Sequence, residues 1–164
     1  MYTQYLKVEA AKNGRGVFTS IQIPANVPIL EIRGPIYTEQ TLPKNTDLSL
    51  VLQVGPNTYI GISGGIDDYL NHSCNPNCLM HVAGNRAILY SMYVIPAGAE
   101  LTFDYSSTST DSASQWTMKC HCGQPNCRKN ISGFQYLDPT LQQSMIKRGM
   151  VPMYITMPNM FPKQ

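Results

Sequence analysis

The sequence predicts a mostly β domain of short strands, a small cysteine-rich module after it, and one helix near the C-terminus. Three observations carry that expectation. Charged residues are 13% of the 164, well below the roughly 25% usual in soluble domains. Glycine and proline number 12 each, which favours frequent turns over long helices. Short β-branched and aromatic runs recur between those turn signals, as they do in small-sheet proteins. A chain of this length can bury roughly two-thirds of its unfolded surface in one core, so the expected division is a main domain over 1–114, a module over 115–133, and a helix and tail over 134–164.

Taken in order, residues 1–11 form a polar lead without the apolar run of a secretory signal. Lys12 to Gly16 sets two glycines around Arg15, which lets the backbone turn tightly and approach a ligand closely; alone, this reads as a hairpin turn. Val17-Phe18 opens an extended segment. Ile29 to Arg33 and Ile36-Tyr37 alternate around Gly34-Pro35 as strands about a turn, and the polar stretch 38–47, with Pro43, is a loop. Leu48 to Val54 and Thr58 to Ile62 are strands around Gly55-Pro56-Asn57. Ala87 to Ile95 is a buried strand leading into the Pro96-Ala97-Gly98 turn. Residues 106–114 are mostly Ser and Thr and read as a flexible tether. Asp138-Pro139 and Gly149 bracket a helix over 139–148, with Leu141, Met145 and Ile146 on one face. Met150, Met153, Met157 and Met160 read as adaptable packing.

Three stretches concentrate chemistry. Tyr69 to Cys78 (Tyr-Leu-Asn-His-Ser-Cys-Asn-Pro-Asn-Cys) puts an amide, an imidazole, a hydroxyl and two thiols in ten positions, a pattern suited to a fixed, hydrogen-bonded loop. Glu100-Leu101-Thr102-Phe103-Asp104-Tyr105 follows the Pro-Ala-Gly turn. Cys120, Cys122 and Cys127 supply three soft ligands in eight residues, one short of the tetrahedral shell of structural zinc. Spacing alone leaves Cys74, Cys78 and His121 open as the fourth. Five cysteines without an export signal read as reduced thiols and a metal site rather than a disulfide framework.

Those stretches, with Asn13-Gly14-Arg15-Gly16-Val17-Phe18, resemble the SET-domain protein lysine methyltransferases: the Asn-His-Ser-Cys-x-Pro-Asn loop, the Glu-Leu-x-Phe-Asp-Tyr segment and the post-SET Cys-x-Cys-x4-Cys cluster are each matched without a gap, over about residues 5–133. The resemblance implies a β-clip fold of short curved sheets with pseudoknot-like C-terminal threading, S-adenosylmethionine as cofactor and a zinc ion. By the family pattern Cys74 completes the ligand set with Cys120, Cys122 and Cys127, leaving Cys78 as a half-buried, inert thiol. Tyr105 becomes the catalytic candidate, orienting methyl and amine. Phe103 takes the aromatic switch position, where a residue without a hydroxyl leaves room for a second and third methyl group. Arg15, Gly16 and Val17 lay their backbone on the cofactor, Asn71 and His72 hold its two ends, and Tyr69, Trp116 and Tyr105 flank it. A lone histidine is by default a hydrogen-bonded core residue, which is the other reading of His72. Two departures stand out: Ile32 where a tyrosine often precedes the turn, and Asp68 where an arginine often precedes the loop.

The implied function is a protein lysine N-methyltransferase acting beyond monomethylation, with histone tails as substrate by family analogy. A short insert over 38–47 leaves the peptide groove open. The alternative is a catalytically weak module that keeps the fold and docks a peptide strand. A net charge of +2 with no Lys/Arg run speaks against a direct nucleic-acid site. No membrane association is expected, since the longest uncharged apolar stretch, Ala87 to Ala99, is broken by Ser91, Pro96 and Gly98 and falls short of the roughly 20 residues a span needs. An intracellular, soluble protein follows, nuclear or chromatin-bound in a eukaryotic cell or host and cytoplasmic otherwise.

Overall fold

A computed structural model describes residues 1–110 and 116–161. Its strands are β1 (Leu6–Ala11), β2 (Gly14–Thr19), β3 (Pro28–Ile32), β4 (Ile36–Thr38), β5 (Leu52–Gly55), β6 (Thr58–Ile60), β7 (Asn71–His72), β8 (Cys78–Ala83), β9 (Arg86–Ser91), β10 (Glu100–Phe103), β11 (Thr117–Lys119) and β12 (Asn130–Ser132), with helices α1 (Pro139–Lys147) and α2 (Met153–Thr156) after them. They form small sheets in the orders β1-β2-β10-β7, β3-β9-β8 and β4-β6-β5, plus the β11-β12 hairpin. Between the first two sheets lies a core that includes Val17, Ile29, Leu30, Met80, Leu89 and Leu101.

Threading places the site. β10 runs antiparallel to β2 on one side and parallel to β7 on the other. The Asn77 side chain then does the work of a further strand: its Nδ2 donates to Glu100 O at 2.7 Å and its Oδ1 accepts from Thr102 N at 2.9 Å. The loop 73–77 is thereby tied down over the strand that leads to Tyr105.

Several expectations change. Residues 6–11 of the polar lead form a strand, because β1 pairs along its whole length with β2 through the hairpin turn read at Lys12 to Gly16, with Gly14 at a φ of +75° that suits glycine. Leu48–Leu50 is a 3-10 turn rather than strand, since the Asp47 carboxylate caps it by accepting from Ser49 N. The strand expected over 87–95 stops at Ser91, whose hydroxyl donates to Pro24 O at 2.6 Å; Tyr93 and Val94 beyond it are half exposed.

The tether expectation fails over its first residues. Ser106, Ser107 and Thr108 are buried, Ser106 N donates to Asp104 Oδ1, and Thr110 N donates to Gln53 Oε1 at 2.7 Å. Small hydroxyl side chains fit a tight interior when their polar atoms are bonded. The rest of that segment, and the 114/115 boundary, lie outside the described residues.

The C-terminal helix forms where expected and ends in a Schellman motif: Gly149 N donates to Ile146 O, and Met150 N to Met145 O. Met145 and Met150 pack with Phe134 and Leu137 against Leu79 and Met92. Ile146 turns outward, away from the face it was expected to share. Of the four tail methionines only Met150 is buried; Met153, Met157 and Met160 are exposed.

Candidate active site and thiolate cluster

Strand register opens the first half of the site. β10 pairs with β2 at Glu100↔Phe18 and Leu101↔Val17, then with β7 at Thr102↔Asn71 and Phe103↔His72. β2 and β7 therefore diverge at Gly16, and the Asn71 amide bridges the gap, donating to Arg15 O at 2.9 Å and Glu100 Oε1 at 2.7 Å. A side chain at Gly16 would collide with the Glu100 carboxylate. The Arg15 guanidinium lies 4.2 Å over the Tyr69 ring and donates to its hydroxyl at 2.7 Å. Val17 is fully buried in the core, so its side chain offers nothing to a ligand.

Tyr105 stands where β10 gives way to a 3-10 turn. Its hydroxyl donates to Leu70 O at 2.6 Å, one residue before Asn71. The Phe103 ring lies 4.9 Å away and His72 meets it edge-on at 5.4 Å. Burial, reinforced by the Glu100 charge, pushes the phenol up to about 12, so at neutral pH it is a hydroxyl and not a base. With its proton committed to Leu70 O, the oxygen keeps lone pairs for a second partner.

His72 is spent inside the protein. Nδ1 accepts from Tyr105 N at 3.2 Å, which leaves the ring proton on Nε2, 3.3 Å from Cys74 Sγ. Burial brings its pKa down to about 4 despite the opposing Asp104 charge, so the ring is neutral at pH 7. The imidazole thus joins the Tyr105 backbone to the cysteine loop, as a core histidine does, and both nitrogens are taken.

Beside Tyr105 lies a cavity of about 110 Å³, lined by Leu52, Ile60, Leu70, Phe103, Tyr105 and Trp116 among others. Arg15, Gly16 and Asn71 lie outside this lining. Trp116 therefore stands at the cavity, also packing on the cysteine cluster, while Tyr69 stays under Arg15. Ile32 contributes an apolar wall where a hydroxyl was expected to be missing. Asp67 and Asp68 reach the lining, their carboxylates accepting from Arg33 N, Ser63 N and Gly64 N. Among the described residues no lysine or arginine lines the cavity.

The sulfur atoms of Cys74, Cys120, Cys122 and Cys127 all lie within 4.8 Å of one another, Cys74 and Cys120 at 3.8 Å. Tetrahedral zinc with Zn–S near 2.3 Å needs S···S separations of roughly 3.8 Å, so this donor set fits such an ion. Arg128 N points at Cys74 Sγ from 3.4 Å, and N–H groups of this kind steady metal-bound thiolates. His121 is not in the cluster. Cys78 is fully rather than half buried, in β8, where burial pushes its thiol up to about 12.

Sequence reasoning passed over the pair that joins the two halves. Arg128 donates to both oxygens of Asp104, at 2.6 and 2.7 Å, and to Ser106 Oγ at 3.1 Å. Asp104 is almost inaccessible, and its place between Phe103 and Tyr105 was a readable signal, because a buried carboxylate demands a cation.

A threaded mostly β domain whose inserted strand leads to a tyrosine between an apolar cavity and a four-thiol cluster defines the class. The chain belongs to the SET-domain family: the model named "SET domain" matches residues 14–106. It is 33% identical over 147 residues to a histone-lysine N-methyltransferase, H3 lysine-36 specific, of Cryptococcus neoformans var. neoformans serotype D, across 79% of this chain and 17% of that protein. To the H3 lysine-4 specific histone-lysine N-methyltransferase of Saccharomyces cerevisiae it is 35% identical over 107 residues, 62% of this chain and 9% of that protein. The chain thus spans less than a fifth of the length of these relatives. Among solved structures it is similar to KRYPTONITE in complex with mCHH DNA, H3(1-15) peptide and SAH, with a TM-score of 0.61 at 25% identity over 76% of this chain and 29% of that one.

Proposed function

We propose that this chain is an S-adenosylmethionine-dependent protein lysine N-methyltransferase that acts on a histone lysine and adds more than one methyl group. The observation that carries this reading is the convergence at Tyr105: its hydroxyl on Leu70 O, Phe103 beside it, the Asn71 amide one residue on, and an apolar cavity alongside. Relatives named as histone-lysine methyltransferases, and a similar structure holding SAH and an H3 peptide, support it.

The donor set suits the cofactor. Arg15 offers a cation for its carboxylate, the Asn71 amide and the strand divergence at Gly16 offer polar main-chain and side-chain groups, and the Tyr105 oxygen offers lone pairs near a positive centre. When bound, S-adenosylmethionine supplies an electrophilic methyl group on a sulfonium.

The chain's own residues handle the amine. A lysine with pKa near 10.4 must shed a proton, which at pH 7 costs roughly 4.6 kcal/mol at about 1.36 per unit. Burial lowers a lysine pKa by up to about 3 to 5 units, and the apolar walls at Leu52, Ile60 and Phe103 provide that burial. Asp67 and Asp68 favour arrival of a cationic side chain. Tyr105 orients the nitrogen, so catalysis here rests on positioning and water exclusion. Phe103, lacking a hydroxyl, leaves space for an amine already methylated. Cys74, Cys120, Cys122 and Cys127 would hold zinc as a structural cross-link, and the place of action is the nucleus or chromatin in a eukaryotic cell or host and the cytoplasm otherwise.

The test is transfer of labelled methyl to histones and whole-protein substrates. Wild type should transfer, Tyr105→Phe should lose about a hundredfold in kcat, and product mass spectra should run past one methyl group. Cofactor binding without any transfer would favour the peptide-docking alternative, and spectra stopping at one methyl would contradict the reading of Phe103.

A further inference from the structure

We infer that Tyr154, on the short helix α2, is a positioning residue that sets the width of the cavity and with it the grip on substrate peptide. The inference rests on the function proposed above. The cavity lining includes Leu52 and Gln53 of β5 and, from the segment after β10, Tyr105, Thr108 and Ser109. The Tyr154 hydroxyl lies 2.9 Å from Gln53 O and is hydrogen bonded to Thr108 O. One buried hydroxyl thus joins a carbonyl from each of these two lining segments.

The Gln53 side chain completes the tie. Its Oε1 accepts from Thr110 N at 2.7 Å, and its Nε2 donates to Thr110 Oγ1 and to Gly55 O, each at 2.9 Å. Without the tyrosine hydroxyl, two carbonyl oxygens would be left near each other with no donor between them. Buried acceptors in that state recruit water or move apart, and either outcome widens the space between the two segments.

Tyr154 is itself held from the far side. Three residues before it and one after, Val151 and Ile155 pack on the cluster built around Phe134, Met145 and Met150. Burial pushes its phenol well above the ordinary range, so it keeps the proton that two carbonyls share. The C-terminal helices thereby reach the cavity although none of their residues lines it.

Tyr154→Phe in the zinc-loaded full chain tests this, with Tyr93→Phe as the comparison. The Tyr93 hydroxyl accepts from Arg148 at 2.8 Å, so that variant also removes a hydroxyl bond of the C-terminal unit, but away from the cavity. Tyr154→Phe should raise KM for a histone peptide about fivefold, the worth of one lost hydrogen bond. It should leave kcat within about twofold and cofactor Kd unchanged, as expected for a contact made equally in ground and transition states, and it should speed amide exchange at Thr110. Tyr93→Phe should do none of these. An unchanged KM, a loss confined to kcat, or an equal KM rise in Tyr93→Phe would each overturn the inference. If the wild type methylates no substrate, the functional reading fails, and exchange at Thr110 still decides whether Tyr154 clamps the two segments.

Discussion

Asp104 sits between the two aromatic residues of the site, yet its carboxylate is spent on Arg128 and on the amide of Ser106. Breaking a buried pair by removing one partner typically costs about 3 to 5 kcal/mol, because the other charge is left uncompensated. Asp104→Asn should therefore lose about 3 kcal/mol in urea unfolding, and adding Arg128→Met should recover part of it; strictly additive losses would mean the two are not coupled. Cys78 makes a second prediction at this scale. Folded, it holds its proton up to about 12, against an ordinary value of 9.0. The folded state therefore binds more protons than the unfolded one above pH 9, and stability falls as pH rises through that range. Cys78→Ala should flatten the loss between about pH 9 and 12, and an unchanged slope would remove the thiol from the account. The motif residues were readable one by one, whereas the Asp104–Arg128 and Gln53–Thr110 bonds span 24 and 57 positions and have no spacing signature.

The elements best anticipated from sequence are those with local reasons to form. Helix α1 is one: Asp138 Oδ1 accepts from Thr140 N and Leu141 N, Pro139 opens the first turn, and Gly149 at φ +68° closes the last. Asp138→Ala should cost about 1 kcal/mol and lower Tm by about 2 to 4 °C, read by calorimetry; an unshifted Tm would mean that packing alone holds the helix. β7 was hidden for the opposite reason. Two residues make no pattern, and Asn71–His72 is a strand only because β10 lies beside it. Likewise Ser106 to Thr108 looked unpackable by composition and is buried because Asp104 accepts from Ser106 N and Tyr154 bonds Thr108 O.

Across the whole molecule, the four cysteines join a loop in the middle of the chain to a module near its end. Structural zinc in small peptides is worth on the order of 10 to 16 kcal/mol at neutral pH, comparable with a domain's entire stability of roughly 5 to 15. Stripping it with a chelator should open residues beyond 115 to protease and abolish methyl transfer, with both restored by added zinc. Unchanged protection would show that the Asp104–Arg128 pair and the packing around Ile131 hold the module without metal. Among the described residues no helix is long and apolar enough to cross a membrane.

By itself the sequence determined the mostly β class and the three clustered cysteines, because turn chemistry and ligand type are local properties, while Cys74 as fourth thiol was open by spacing and came from the family resemblance. Only the tertiary structure decided that Tyr105 donates to Leu70 O, that His72 faces inward, and that Asp104, Asn77 and Tyr154 tie the parts together. Those are hydrogen bonds between segments far apart along the chain, and their partners are chosen by how the sheets thread and pack.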